Sequence, residues 1–428
     1  LKRRARVMLC CCAVESAKPE ARIPGSPSKA RKAKPRGSSI VGSCETLADA
    51  AWEGNEDLVR RFLKTTNADA PDEDGSTPLH LAAREGHCAV VKLLVEEANS
   101  KSVDAIDAEG STPLLWAAKE GHTVVVDFLL SASVASLDIP NQAGETPLFC
   151  AAYRNHPEVV RKLLVKGQPK TVDHPNNEGE TPLNIAAGKG SAEIVRLLLK
   201  EGRTGGVDTA DKLGWTPVLI AAHGGHVDVV RLLVNEGKAQ SVDTPNKAGE
   251  TALLCAAKRG HAEVEKFLLA DGHTRSVDTP DKNGDTPLLM AAQYGRSESV
   301  RLLITKANSK AVDLPNNLKE TPLLLASQEG CTEVVRILLE EGSSCSLNAR
   351  AADGRTALIS AARFGFLEVC KLLLEKGADR TLVVQGSEFI GCDGTAEDVA
   401  RENGHTEIVS LVSGKPETPA DAQVQLAA

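Results

Sequence analysis

The tripeptide Thr-Pro-Leu, or a close variant, returns at Thr77, Thr112, Thr146, Thr181, Thr216, Thr251, Thr286, Thr321 and Thr356, with one step of 34 residues and seven of 35. A register kept from Thr77 to Thr356 excludes a chain of independent globular domains. Each copy must instead be a small unit that buries its apolar face against the next copy. Weaker copies at Thr46 (Thr-Leu-Ala-Asp-Ala-Ala) and Thr395 (Thr-Ala-Glu-Asp-Val-Ala) flank these nine and bring the count to eleven units. Aromatic residues are only 3% of the chain, so burial must come from many small aliphatic contacts, as a stacked array requires.

Each unit reads as two short helices. In residues 251–270, TALLCAAKRGHAEVEKFLLA, Thr251 is an N-cap candidate whose hydroxyl accepts a free amide. In most other units Pro follows, as Pro78 does, at the first helical position, where its missing N–H costs nothing. Leu253, Ala256 and Ala257 form one apolar stripe, and the paired alanines permit close helix approach. Gly260 ends the first helix, and Val264, Phe267 and Leu268 repeat the stripe on the second. The stretch between units, such as residues 242–249, is rich in Asp, Asn, Pro and Gly and predicts a protruding hairpin-like finger.

The order of finger, Gly-x-Thr-Pro-Leu, Ala-Ala, Gly-His and Val-Val-x-Leu-Leu resembles the ankyrin repeat, and residues 75–95, GSTPLHLAAREGHCAVVKLLV, follow that pattern almost letter for letter. The resemblance extends over about residues 44–413. It implies an all-α solenoid of stacked helix-turn-helix repeats, elongated and curved, with β-hairpin-like fingers and a concave binding face of fingers and first helices. Three departures stand out. The family's usual period is 33, and the two extra residues here fall after the second helix, as in residues 236–242. The histidine of Thr-Pro-Leu-His survives only as His80. Its place is taken by Leu115, Phe149, Asn184, Leu219, Leu254, Leu289, Leu324 and Ile359, which predicts that apolar contact mostly replaces the family's Thr–His hydrogen bonds. Lys319 stands where other fingers have Gly, so that finger is expected to be strained or irregular. The residues from Leu382 to Gly391 interrupt the last unit and suggest no function of their own.

No catalytic pattern survives scrutiny. Residues 187–191, AGKGS, lack the order of a phosphate-binding loop, and the repeat explains them as a helix end. His87, His122, His226, His261 and His405 each follow a helix-ending Gly, and His156 follows Asn155. They recur once per unit, too far apart to share a zinc ion, so inter-repeat contacts are expected in place of metal ligation. Cys150 and Cys255 are three units apart and cannot bridge. The expectation is a protein that is not an enzyme and uses no cofactor or metal.

A partner should meet the positions that the repeat leaves variable. Directly after Ala-Ala these run from Arg84-Glu85 to Arg363-Phe364, and between residues 153 and 294 none of them is acidic. The fingers supply Glu145, Glu180, Glu250, Asp208, Asp243 and Asp278. A mildly basic central groove under acidic fingers is the resulting expectation. The candidate contacts are Trp52, Tyr153, Arg154, Trp215, His223, Lys258, Arg259, Tyr294 and Phe364, since Trp, Tyr and Arg are enriched at binding hot spots. The partner class is a protein, with an acidic segment as the complementary chemistry. The leading role is a scaffold or adaptor, expected as a monomer. The alternatives are an inhibitor that masks a partner's active surface and a membrane-tethered organiser.

The termini read differently. Residues 1–43 form a basic arm without periodicity, 44–413 the repeat domain and 414–428 a polar tail, with both ends expected to be disordered. Residues 1–40 hold eleven Lys/Arg and two Glu, while the rest holds 39 Lys/Arg and 56 Asp/Glu, so +9 is joined to −17. The chain begins with Leu, and translation from Met8 would place Cys10, Cys11 and Cys12 at the extreme N-terminus, as candidate lipidation sites. The cluster from Lys29 to Arg36 competes as a nuclear signal, a nucleic-acid patch or an aid to acidic-lipid binding. Without interleaved aromatics it predicts no specific nucleic-acid readout. Ser26-Pro resembles a proline-directed phosphorylation site. The eleven cysteines show no CxxC spacing, and no secretory segment is present. The expected place is the cytoplasm, with the inner face of a membrane or the nucleus as alternatives.

Overall fold

In every unit from the second to the eleventh a threonine holds extended backbone just before the first helix, and Pro or Ala opens that helix. The threonine hydroxyl accepts the third amide of the helix, as from Leu115 to Thr112 at 3.2 Å and from Leu254 to Thr251 at 3.3 Å. The computed structural model describes residues 46–414 apart from 99, 168–171, 202–204, 271–272, 276, 307–310, 343, 387–389 and 392. Cys10, Cys11, Cys12, Ser26 and the basic arm, like residues 415–428, lie outside the described residues. Among the described residues the chain forms 22 α-helices in eleven pairs, from Leu47–Glu53 to Thr406–Ser413. This is an all-helical repeat solenoid. First helices stack on first helices through the buried Ala-Ala pairs, and second helices stack alongside through Val, Ile and Leu, which makes one continuous apolar core.

Histidine locks six of the joints, and Ser191, Arg296, Cys331 and Phe366 take its place at others. His122 Nε2 donates to the Arg84 carbonyl at 2.8 Å, and His87, His156, His226, His261 and His405 do the same to Trp52, Lys119, Gly188, His223 and Arg363 at 2.9–3.1 Å. These are the expected inter-repeat contacts. Each ring lies where a side chain on the preceding unit's glycine would go. A Cβ on Gly86, at φ +80°, would come within 2.4 Å of His122 Nδ1.

The Thr–His arrangement persists at His80, whose Nδ1 lies 2.9 Å from Thr77 Oγ1 and accepts the Thr77 amide at 3.1 Å. Leu254, Leu289 and Leu324 replace it with a second apolar seam that includes Met290, Leu325 and Ala351. Asn184 stays polar. It accepts from Thr181 Oγ1 at 2.5 Å and donates to the Trp215 carbonyl at 3.1 Å, so one side-chain amide does the work of the imidazole.

The fingers are tight turns, without paired strands among the described residues. An Asp or Asn at the start of eight turns, from Asp72 to Asn316, accepts two amides further along, as Asp72 does from Asp74 and Ser76 at 3.0 and 2.9 Å, while Ala351 starts the ninth. One backbone hydrogen bond per step links successive fingertips. The two residues beyond the family's period of 33 lie in the connector, and an aspartate of the preceding unit clamps that connector. Asp208 accepts the Gln240 and Ser241 amides at 3.0 and 2.9 Å, and Asp313 accepts those of Cys345 and Ser346 at 3.0 Å each. Asn348 does the same for Asp379 at 2.8 Å. In the interrupted last unit, Val384 and Gly394 form an isolated antiparallel bridge, and buried Val384 and Ile390 join the core.

Lys319 adopts φ +57°, in the left-handed region that the other fingers fill with Gly. A side chain there costs about 1 kcal/mol. Lys319→Gly is therefore expected to raise stability by about 1 kcal/mol, read as a higher urea midpoint; an unchanged or lower midpoint contradicts the strain.

Candidate partner-binding face

The nine candidate residues do not form one site. Trp52 and Phe364 are nine units apart, about 70–90 Å at 8–10 Å per packed helix. Trp52 belongs to a cation–aromatic stack at the first units, where the Arg84 guanidinium lies 5.5 Å from the Trp52 ring centre and 4.4 Å from that of Trp116. Trp116, which lies inside the repeat's first helix and carries no repeat signal of its own, is buried and donates from Nε1 to Asp107 at 2.7 Å. Phe364 lies beside Phe366, with centroids 6.2 Å apart, and under Arg363 at 5.3 Å.

The remaining candidates gather in units four to eight. Tyr153 is half-buried beneath the Lys189 ammonium, 4.6 Å from its ring centre, and Arg154 is exposed beside it. Trp215 packs part of its indole on the core and meets the His223 ring edge-on, with centroids 5.2 Å apart. Arg259 donates to His223 Nε2 at 3.0 Å. Arginine has no acceptor atom, so this bond requires His223 to be neutral with its proton on Nδ1. Burial and then the Arg259 charge bring the His223 pKa down to about 4, in agreement. The indole, imidazole and guanidinium thus form a chain across two units, fixed before any partner arrives. Tyr294 is the most exposed of the aromatic candidates, at 44%.

Lys258 is not the free cation expected of a basic groove. Its ammonium pairs with Glu250 at 3.0 Å, and both side chains are more than half buried. Burial disfavours charge on Glu250, but Asn246 and Lys258 outweigh it and hold the carboxyl below its ordinary range. The acids assigned to the fingers are likewise occupied at finger bases. Glu145 and Glu180 accept from Asn141 and Asn176 at 2.9 and 2.8 Å, and Asp243 accepts the Arg275 amide at 3.0 Å. Burial, followed by the charges of Asp211, Glu178 and Glu145, raises the Glu180 carboxyl above its usual range against the pull of Asn176. Glu145, Glu180 and Glu250 brace the fingers, while Asp208 and Asp243 clamp connectors.

One carboxylate crosses between units inside the stack. Glu320 pairs with Arg355, which also meets Gln328 and, at 3.0 Å, Asp353; the Glu320 and Arg355 side chains are each only 7% exposed. Among the described residues no cluster of three or more His, Cys, Asp or Glu could hold a metal ion, and no helix is long and apolar enough to cross a membrane.

A family model described as ankyrin repeats, in three copies, matches residues 47–141, 134–206, 203–279, 238–313, 273–349 and 307–385 in overlapping segments.

Proposed function

The chain belongs to the ankyrin-repeat family, and from that premise we propose that it is a non-catalytic scaffold or adaptor that holds a protein partner against the first helices and fingers of units four to eight. Ankyrin repeats are generally modules of protein–protein interaction. The observation that carries the placement is the chain Trp215–His223–Arg259, with exposed Tyr294 one unit further on. The repeat needs no aromatic residue at position 215, where neighbouring units have Ser, Glu, Asp or Arg. A pre-set aromatic and guanidinium pair loses little side-chain entropy on binding.

The test is affinity capture with the full chain, followed by reconstitution with the purified captured protein. Arg259→Glu combined with Tyr294→Ala is expected to weaken that complex at least tenfold while leaving the thermal melt of the free protein in place. An unchanged Kd removes this face from the proposal.

A further inference from the structure

The fingertips carry a feature that the groove reading does not use. Four residues before each repeat threonine the tip reads Glu73, Ala108, Gln142, Asn177, Lys212, Lys247, Lys282, Asn317 and Ala352. Lysine therefore occupies the same place in three successive units and in no other of these nine. One residue further along, the row reads Asp74, Glu109, Ala143, Glu178, Leu213, Ala248, Asn283, Leu318 and Asp353, so acids are absent from Leu213 to Leu318. Lys212, Lys247 and Lys282 are exposed, and none forms an ion pair among the described residues. The outer helices differ: there Lys266 meets Glu263 and Glu298, and Arg301 meets Glu333 and Glu341.

The three lysines are held in register by backbone. The Lys212 amide donates to the Glu178 carbonyl at 3.0 Å, that of Lys247 to Leu213 at 2.9 Å, and that of Lys282 to Ala248 at 3.0 Å. The contact is close enough that a Cβ on Gly249 would come within 2.8 Å of the Lys282 nitrogen, at φ +90° for the glycine. The spacing of the lysines is therefore the spacing of the units, about 10 Å per step. An extended polyproline-II chain advances about 3.1 Å per residue and returns to the same face every third residue, so three residues cover one step.

We infer that Lys212, Lys247 and Lys282 form a docking ladder for an extended acidic segment of a protein partner, with carboxylates at every third residue and an apolar side chain available to Leu213, which is 63% exposed. This deepens the scaffold reading and rests on it. A single line of three cations one unit apart matches an extended polyproline-II segment better than a membrane surface, which engages broad basic patches. No exposed aromatic alternates with the lysines to stack on the bases of a single-stranded nucleic acid. The attraction is surface electrostatics, so it falls with salt.

The test uses the full chain and fluorescein-labelled peptides of one composition, with three Glu and one Leu on a Gly/Ser background. The Glu residues are placed at i, i+3, i+6, at i, i+2, i+4, or at i, i+5, i+10. Anisotropy at low ionic strength is expected to show the three-residue spacing binding at least fivefold more tightly than either other. It is also expected to show at least tenfold loss in the triple variant Lys212→Glu, Lys247→Glu, Lys282→Glu, with an unaltered circular-dichroism melt. Equal binding of all three spacings, full retention in the triple variant, or tighter binding of oligothymidylate or of phosphatidylserine vesicles than of the peptide each overturns the ladder. The pair Arg259→Glu, Tyr294→Ala separates the two readings. A captured partner that is sensitive to that pair but not to the fingertip variant sinks the ladder alone. Insensitivity to the pair sinks the groove.

Discussion

Glu320→Ala is expected to cost about 3–5 kcal/mol, because it strands a buried guanidinium without its main counter-charge. Arg355 and Glu320 are both 7% exposed and belong to adjacent units. Gln328 and Asp353 also contact Arg355, but Gln328 is neutral and Asp353 is the more exposed partner. The readout is the urea midpoint followed by far-UV circular dichroism, and the loss should fall on the transition of the C-terminal units, since neighbouring repeats share interface energy. Removing both charges, as in Glu320→Leu with Arg355→Leu, should recover most of the loss, because apolar replacement of a buried ion pair is often neutral or better. A Glu320→Ala midpoint within error of the parent would show that water already screens the pair.

Glu265 carries the second large effect, with the opposite sign. It is fully buried in the second helix Ala262–Leu269, at the place where the other units have valine except for Cys370. Ser299 Oγ donates to its Oε1 at 2.5 Å, while Oε2 has no hydrogen-bonding partner among the described residues. Burial, with Glu298 nearby, raises its pKa to about 7 from 4.5, against the pull of Ser299 and Lys266. A raised carboxyl binds its proton more tightly in the folded state. Its contribution is therefore fully present below pH 4.5 and is lost as the pH rises through 7. The difference amounts to about 3 kcal/mol at 1.36 kcal/mol per pH unit. Glu265→Gln, which is uncharged and of the same shape, should gain about that much at pH 8, gain little at pH 4.5, and flatten the stability profile between them. Parallel profiles for parent and variant across that range would refute the assignment.

The repeat, its capping threonines and its histidine contacts were all legible in the sequence, because each is local or recurs at a fixed step. The pairings that re-sort the charges were not. Lys258 meets Glu250 only once the finger has folded back over its helix, and Asp208 reaches Gln240 only when two units are stacked. Counting charges along the chain therefore shows neither the Lys258–Glu250 pair nor the aspartate clamps. Asn184 was grouped with the apolar replacements of His80, although its amide preserves the polar contact. The lysines at 212, 247 and 282 stand out in the sequence only when one finger position is aligned across units, and the positions after Ala-Ala do not reveal them.

The recurring joints also share a direction. The later unit supplies the donor at the fingertip amide, at the connector amides and at the histidine Nε2, and the earlier unit supplies the acceptor as a carbonyl or an aspartate. The stack is therefore polar, much as a single α-helix is. At these three kinds of contact a cut leaves N–H groups bare on the C-terminal piece and oxygen atoms on the N-terminal one, whereas His80 and Asn184 donate the other way. The two fragments would not be equivalent binders: the face with bare N–H groups attracts anions, and the face with bare oxygens attracts cations and further donors. Two copies could meet productively at such ends only head to tail.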